Sequence, residues 1–156
     1  YSVADTAIVG RGLGDNALGA VGNLSSLSLL IIGFSMGVTG GFAVIIAQNF
    51  GSGDMTAVRK SVAMSVKLSA ILTVILTAAG CLLLKPILLL MQTDTIILKD
   101  SLIYGYIIFG GLAATIAYNL LSGVLRSVGD SKTPFIAIMI SSAINIALDY
   151  ILIFLF

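Results

Sequence analysis

Read between its charges, the chain is a series of long apolar stretches separated by short polar ones. Residues 27–47 carry no charge, 62–84 only Lys67, 101–125 none and 134–156 only Asp149. A helix needs about 20 mostly apolar residues to cross roughly 30 Å of hydrocarbon, so each stretch predicts one spanning helix. Runs such as Leu29-Leu30-Ile31-Ile32 break the alternation that strands of a membrane barrel require. The expected fold class is therefore an all-α integral membrane protein, a polytopic helical bundle. Its helices are predicted at 24–50, 57–84, 97–125 and 134–156, with 1–11 as the end of a preceding helix. The chain opens on Tyr1 and closes in the apolar run 150–156, so it reads as a fragment of a longer bundle.

The polar segments carry turn chemistry. Gly51-Ser52-Gly53-Asp54 suits a helix stop followed by an Asp cap, and Gly12-Leu13-Gly14-Asp15-Asn16 has the same grammar. Gly129-Asp130-Ser131-Lys132-Thr133-Pro134 ends one span and opens the next, with Pro134 in a first turn where a missing N–H costs nothing. Alternating spans put Arg59, Lys60, Arg126 and Lys132 on one face, face A, with Lys67 able to snorkel toward it. Arg11, Lys85 and Lys99 fall on the other, face B, together with the loops at 12–23 and 92–100. The bias marks face A as cytoplasmic.

Composition sharpens the picture. Of 156 residues, 58% are hydrophobic and 10% charged, and the mean hydropathy is +1.14; a soluble domain carries roughly 25% charged residues. Eight Lys and Arg against seven acids, all Asp, leave a net charge of +1, too little for a nucleic-acid partner. There is no His, which excludes Ser-His and Cys-His catalysis and most zinc chemistry. The single Cys81 lies in an apolar run and reads as packing. No cofactor and no enzymatic constellation is expected.

Gly10-x-Gly12-x-Gly14 lacks the second gap and the preceding strand of a dinucleotide fingerprint. Gly33, Gly37 and Gly41 recur every four residues and form a small-residue ridge suited to helix packing. Asp15, Asp54, Asp94, Asp100 and Asp130 belong to loops or first turns, whereas Asp5 and Asp149 stand inside apolar segments. A charge at mid-membrane costs about 2.5–3.5 kcal/mol on insertion scales, so such residues usually face a polar cavity and carry ions or protons. If the last helix enters at Pro134, Asn145 lies roughly 16 Å and Asp149 roughly 22 Å into the membrane. Asp5 lies about 8–14 Å below face B, at a similar depth. Asn145 and Asp149 are four residues apart, on one helix face. Two carboxylates and an amide in one pocket, Asp5, Asp149 and Asn145, would make a site for a hard cation or a proton.

Asp5-Thr6-Ala7-Ile8-Val9-Gly10, Ala17-Leu18-Gly19-Ala20-Val21-Gly22, Ala47-Gln48-Asn49-Phe50-Gly51-Ser52-Gly53-Asp54, Gly129-Asp130-Ser131-Lys132-Thr133-Pro134 and Asn145-Ile146-Ala147-Leu148-Asp149 occur in an order that resembles the multidrug and toxic compound extrusion (MATE) transporters. The resemblance implies twelve helices in two six-helix lobes, of which this chain is part of the N-terminal lobe. It implies an antiporter in the cell's cytoplasmic (inner) membrane, exporting small amphipathic, often cationic, compounds against inward Na⁺ or H⁺. In the DinF-like branch an Asp on the first helix and an Asn-x-x-x-Asp on the fifth build the N-lobe cation site, which matches Asp5, Asn145 and Asp149. The partners implied are the lipid bilayer, the substrate and a C-terminal lobe absent from this chain, without which transport is not expected.

A lipid-linked oligosaccharide flippase of the same superfamily is the alternative, but it favours a strongly cationic cavity, and here Lys67 is the one cation away from loops and helix ends. An aspartyl intramembrane protease could use Asp5 and Asp149, but leaves Asn145 and the loop motifs unexplained. A passive membrane scaffold would have no need of Asp149.

Overall fold

The computed structural model describes residues 15–154. The chain folds as α1 (Asp15–Gly51), α2 (Met55–Leu90), α3 (Thr95–Gly110), α4 (Leu112–Ser127) and α5 (Lys132–Phe154). Together α3 and α4 form one membrane span, so the four expected spans are present. The expected helix end at 1–11 lies outside the described residues.

The turns close as their sequences dictate. Asp54 accepts from the Ala57 N–H at 2.9 Å and caps α2, after Gly53 turns the chain at φ +77°. Asp94 accepts from the Ile96 N–H at 2.9 Å and caps α3. At the end of α2 the left-handed residue is Gln92, at φ 54°, and the Thr93 N–H reaches back to the Leu88 carbonyl at 3.1 Å. This is a Schellman-type stop with glutamine in the place glycine usually fills.

Three boundaries differ from the sequence expectation. Residues 15–23, expected in a loop, belong to α1: Ala20 and Leu24 are buried one turn apart, and Gly19 runs against the Ile97 side chain. Burial of that face offsets the low helix propensity of Gly19 and Gly22. The second helix continues past Lys85 and Pro86 to Leu90. Leu84 and Leu88 on either side of Pro86 are fully buried, and that packing outweighs the one backbone hydrogen bond the proline cannot make. The expected helix 97–125 is interrupted at Gly111, whose N–H is shared between the Ile107 and Ile108 carbonyls at 3.0 and 3.1 Å. The Gly110-Gly111 pair lacks side chains to hold the turn, a common origin of helix breaks. Just before it, Thr77 of α2 donates its hydroxyl to the Phe109 carbonyl at 3.3 Å, tying the break to its neighbour.

α1 packs against α2, α3 and α4, while α5 touches only α4 among the described elements. The core is Leu24, Leu84, Leu88, Phe109 and Leu112, with Cys81 at its edge as packing. Elsewhere the helices approach through small residues. Ser35, Thr39, Ser65, Ser69, Ser101 and Ser122 are buried. Ser35 and Ser65 donate to the carbonyls one turn back, at 2.8 Å each, which removes the cost of burying a hydroxyl. Near face A, Ser127 of α4 donates to the Ala43 carbonyl of α1 at 2.7 Å, and Asn49 of α1 donates to Ser61 of α2 at 2.6 Å.

Candidate ion-coupling site

The site rests on α5, which the 129–134 turn aims. Gly129 has φ +94°, a conformation that disfavours any side chain. Asp130 accepts from the N–H groups of Lys132 and Thr133 at 3.1 and 3.0 Å, satisfying donors of the first helical turn. The hydrogen bond from the Thr133 side chain, then those from the Thr133 and Lys132 backbone, hold the Asp130 carboxyl below the usual carboxylate range. Pro134 is buried in the first turn, and Tyr118 of α4 donates its hydroxyl to the Pro134 carbonyl at 3.1 Å. This bond pins the face A end of α5 to α4.

Below that anchor α5 has two unlike sides. Phe135, Ile136, Met139, Ile140, Ile144 and Leu148 are exposed, as lipid-facing residues would be. Among the residues described from 141 to 152, those that are partly buried are Ser142, Asn145 and Asp149. They recur at spacings of three and four and form one stripe, so the partly buried side of α5 is polar. Within it the Asn145 Oδ1 is buried and has no hydrogen-bond partner. A buried acceptor left unpaired costs about 1–3 kcal/mol, so the arrangement favours a donor or a cation at that oxygen. The Asp149 carboxyl stands one turn away on the same stripe.

Of the three residues expected to share a site, Asn145 and Asp149 stand together, and Asp5 lies outside the described residues. No group of three or more His, Cys, Asp or Glu side chains gathers among the described residues. Two hard oxygen donors fit a weakly held monovalent cation better than a zinc or calcium cage.

A Cβ on Gly33, Gly37 or Gly41 would meet nothing within 4 Å, so none of the described helices packs on this ridge. The glycines that admit a neighbour are Gly80 against Phe109, Gly105 against Leu84, and Gly123, where a Cβ would stand 3.2 Å from that of Ala43. Sequence reasoning also passed over Asn119, whose Nδ2 is buried without a partner. It lines a small cleft between α1 and α4 with Met36, Thr39, Gly40, Gly123 and Arg126. Its signal was an amide inside an uncharged span, two turns from Arg126 on one helix face.

Four helices long and apolar enough to cross a membrane, packed through small residues, define a polytopic helical membrane protein. The MatE family profile matches residues 1–151. The chain is 34% identical over 145 residues to the probable multidrug resistance protein YoeA of Bacillus subtilis, covering 93% of this chain and 31% of that protein. It is 29% identical over 157 residues to a FAD transporter of Shewanella oneidensis, covering 99% of this chain and 34% of the relative. Among solved structures, an inward-facing multidrug resistance MATE family transporter of the MOP superfamily superposes with a TM-score of 0.92 at 28% identity, over 99% of this chain and 35% of that one. The chain belongs to the MatE family of transporters, and it spans about a third of the length of the relatives it matches.

Proposed function

We propose that the full-length protein carrying this chain is a secondary active antiporter of the DinF-like branch, in the cytoplasmic membrane. It would export small amphipathic, often cationic, compounds against an inward Na⁺ or H⁺ gradient. The observation that carries the reading is the polar stripe of α5, where the buried, unpartnered Asn145 Oδ1 lies one turn from Asp149 in an otherwise apolar helix. A charge there is costly unless it binds something. The names of the relatives, multidrug resistance proteins among them, support export of small molecules.

In this reading Asp149 is the coupling carboxylate and binds the cation or proton, Asn145 supplies a second oxygen, and Asp5 is the partner carboxylate. Loading neutralises the stripe and lets α5 close against its neighbours; unloading leaves a charge that draws in water. A substrate bound unequally by the two states is driven the other way, since a ligand shifts an equilibrium only through differential affinity. The open glycine face at Gly33, Gly37 and Gly41 then serves contact with the remainder of the full-length chain, where small residues permit sliding. A flippase cavity favours many cations, and this chain offers one, Lys67, away from loops and helix ends.

The test is reconstitution of the full-length protein in liposomes with Na⁺ and H⁺ gradients imposed separately, following a fluorescent lipophilic cation. One gradient is expected to drive uphill movement. Movement indifferent to both gradients would overturn the proposal.

A further inference from the structure

The outer side of α2 carries a feature that ion coupling does not use. Lys60, Met64, Lys67, Ile71, Val74, Leu82 and Lys85 are all exposed and, at spacings that are sums of three and four, lie on one stripe of the helix. Residues 68–84 between the two inner lysines are uncharged, and Lys67 and Lys85 stand about 27 Å apart along the axis, close to the roughly 30 Å of hydrocarbon. The two ammonium groups therefore bracket the hydrocarbon layer, each able to snorkel outward.

Toward the α1–α2 turn the helix continues for Met55 to Val66, about 18 Å, well beyond a headgroup layer of about 5–7 Å. Lys67 thus sits at the lower edge of that layer; Lys60 stands two turns above it, about 10 Å away and so just past its upper edge, pointing within roughly 20° of the same direction. Arg59 adds a third cation. None of the three has an ion pair among the described residues, and the nearest acid in sequence, Asp54, is engaged as the α2 cap. Below Lys67 the stripe is apolar, with Val74 68% and Leu82 77% exposed.

We propose that this stripe binds an anionic phospholipid of the leaflet on the side of the α1–α2 turn. Its phosphate lies between Lys60 and Lys67, and an acyl chain runs along Ile71 and Val74. Two cations that flank the headgroup layer from below and above complement a lipid with net negative charge, while a zwitterionic lipid brings its own cation and gains little. The inference does not depend on the antiport reading.

The experiment is native mass spectrometry of the full-length protein with phosphatidylglycerol and phosphatidylcholine in competition. The wild type is expected to retain phosphatidylglycerol preferentially. Lys60→Met and Lys67→Met should each lower the preference about fivefold, and the double variant about twentyfold. Lys60→Arg/Lys67→Arg should keep it. Melting of each variant in phosphatidylcholine alone, unchanged from wild type, separates lipid recognition from folding. An undiminished preference in the double Met variant, equal retention of both lipids by wild type, or displacement by millimolar inorganic phosphate would each overturn the proposal.

Discussion

Gly80 of α2 leaves the space that the Phe109 ring of α3 fills: a Cβ at Gly80 would come within 2.8 Å of the ring's Cγ. The contact lies at the core, one turn from Leu84, beside the α3–α4 break. Gly80→Ala should therefore force the ring aside and cost about 1–3 kcal/mol, the usual range for overpacking. Phe109→Leu in the Gly80→Ala background should recover part of the loss. Thermal melting of the purified full-length variants checks both. Equal melting of Gly80→Ala and wild type would contradict the packing.

Gln92 holds a left-handed backbone that costs a residue with a side chain about 1 kcal/mol. Replacement by glycine removes that cost without touching the hydrogen bond from Thr93 to Leu88. Gln92→Gly is expected to stabilise the protein by about that amount, seen as a higher melting temperature. A lower one would mean that the Gln92 side chain has a role of its own.

Asp130 makes the start of α5 sensitive to acid. Its carboxyl is held below the usual range by hydrogen bonds that need the ionised form. A depressed folded value means that the stabilisation is complete above the ordinary carboxylate range and is lost as pH falls through the lowered value. The difference in melting temperature between wild type and Asp130→Ala should be largest near neutral pH and shrink as pH falls below the ordinary carboxylate value of about 3.9. A difference that persists unchanged in acid would assign the cap's contribution to shape alone.

The residues explain which parts of the fold were legible in the chain and which were not. Spans are set by runs without charge, so all four could be read directly. The caps at Asp54, Asp94 and Asp130 follow from side chains that bond to their own backbone neighbours, a local matter. Continuation of α2 through Lys85 and Pro86 was not legible, because it depends on Leu84 and Leu88 being buried by helices distant in sequence. The same holds for the glycines: close approach among the described helices occurs at Gly80, Gly105 and Gly123, each chosen by what faces it, whereas the regular spacing of Gly33, Gly37 and Gly41 does not say which helix they meet. At the candidate site the pair Asn145 and Asp149 was readable from a spacing of four, but the polar character of the whole stripe, Ser142 included, required knowing which side of α5 is partly buried.

The central claim is that Asp149 couples an ion to export, and Asp149→Asn in the full-length protein tests it most directly. The amide keeps the size and shape of the side chain and removes the ionisable carboxyl. Asn145→Ala, which deletes the unpartnered oxygen but no charge, serves as the graded comparison. Export of a fluorescent lipophilic cation would be followed in everted vesicles under an imposed gradient, with membrane insertion verified for each variant. The account predicts gradient-driven export abolished in Asp149→Asn and weakened in Asn145→Ala, at wild-type levels of inserted protein. Normal gradient-dependent export by Asp149→Asn would contradict it and make the α5 carboxylate a structural group.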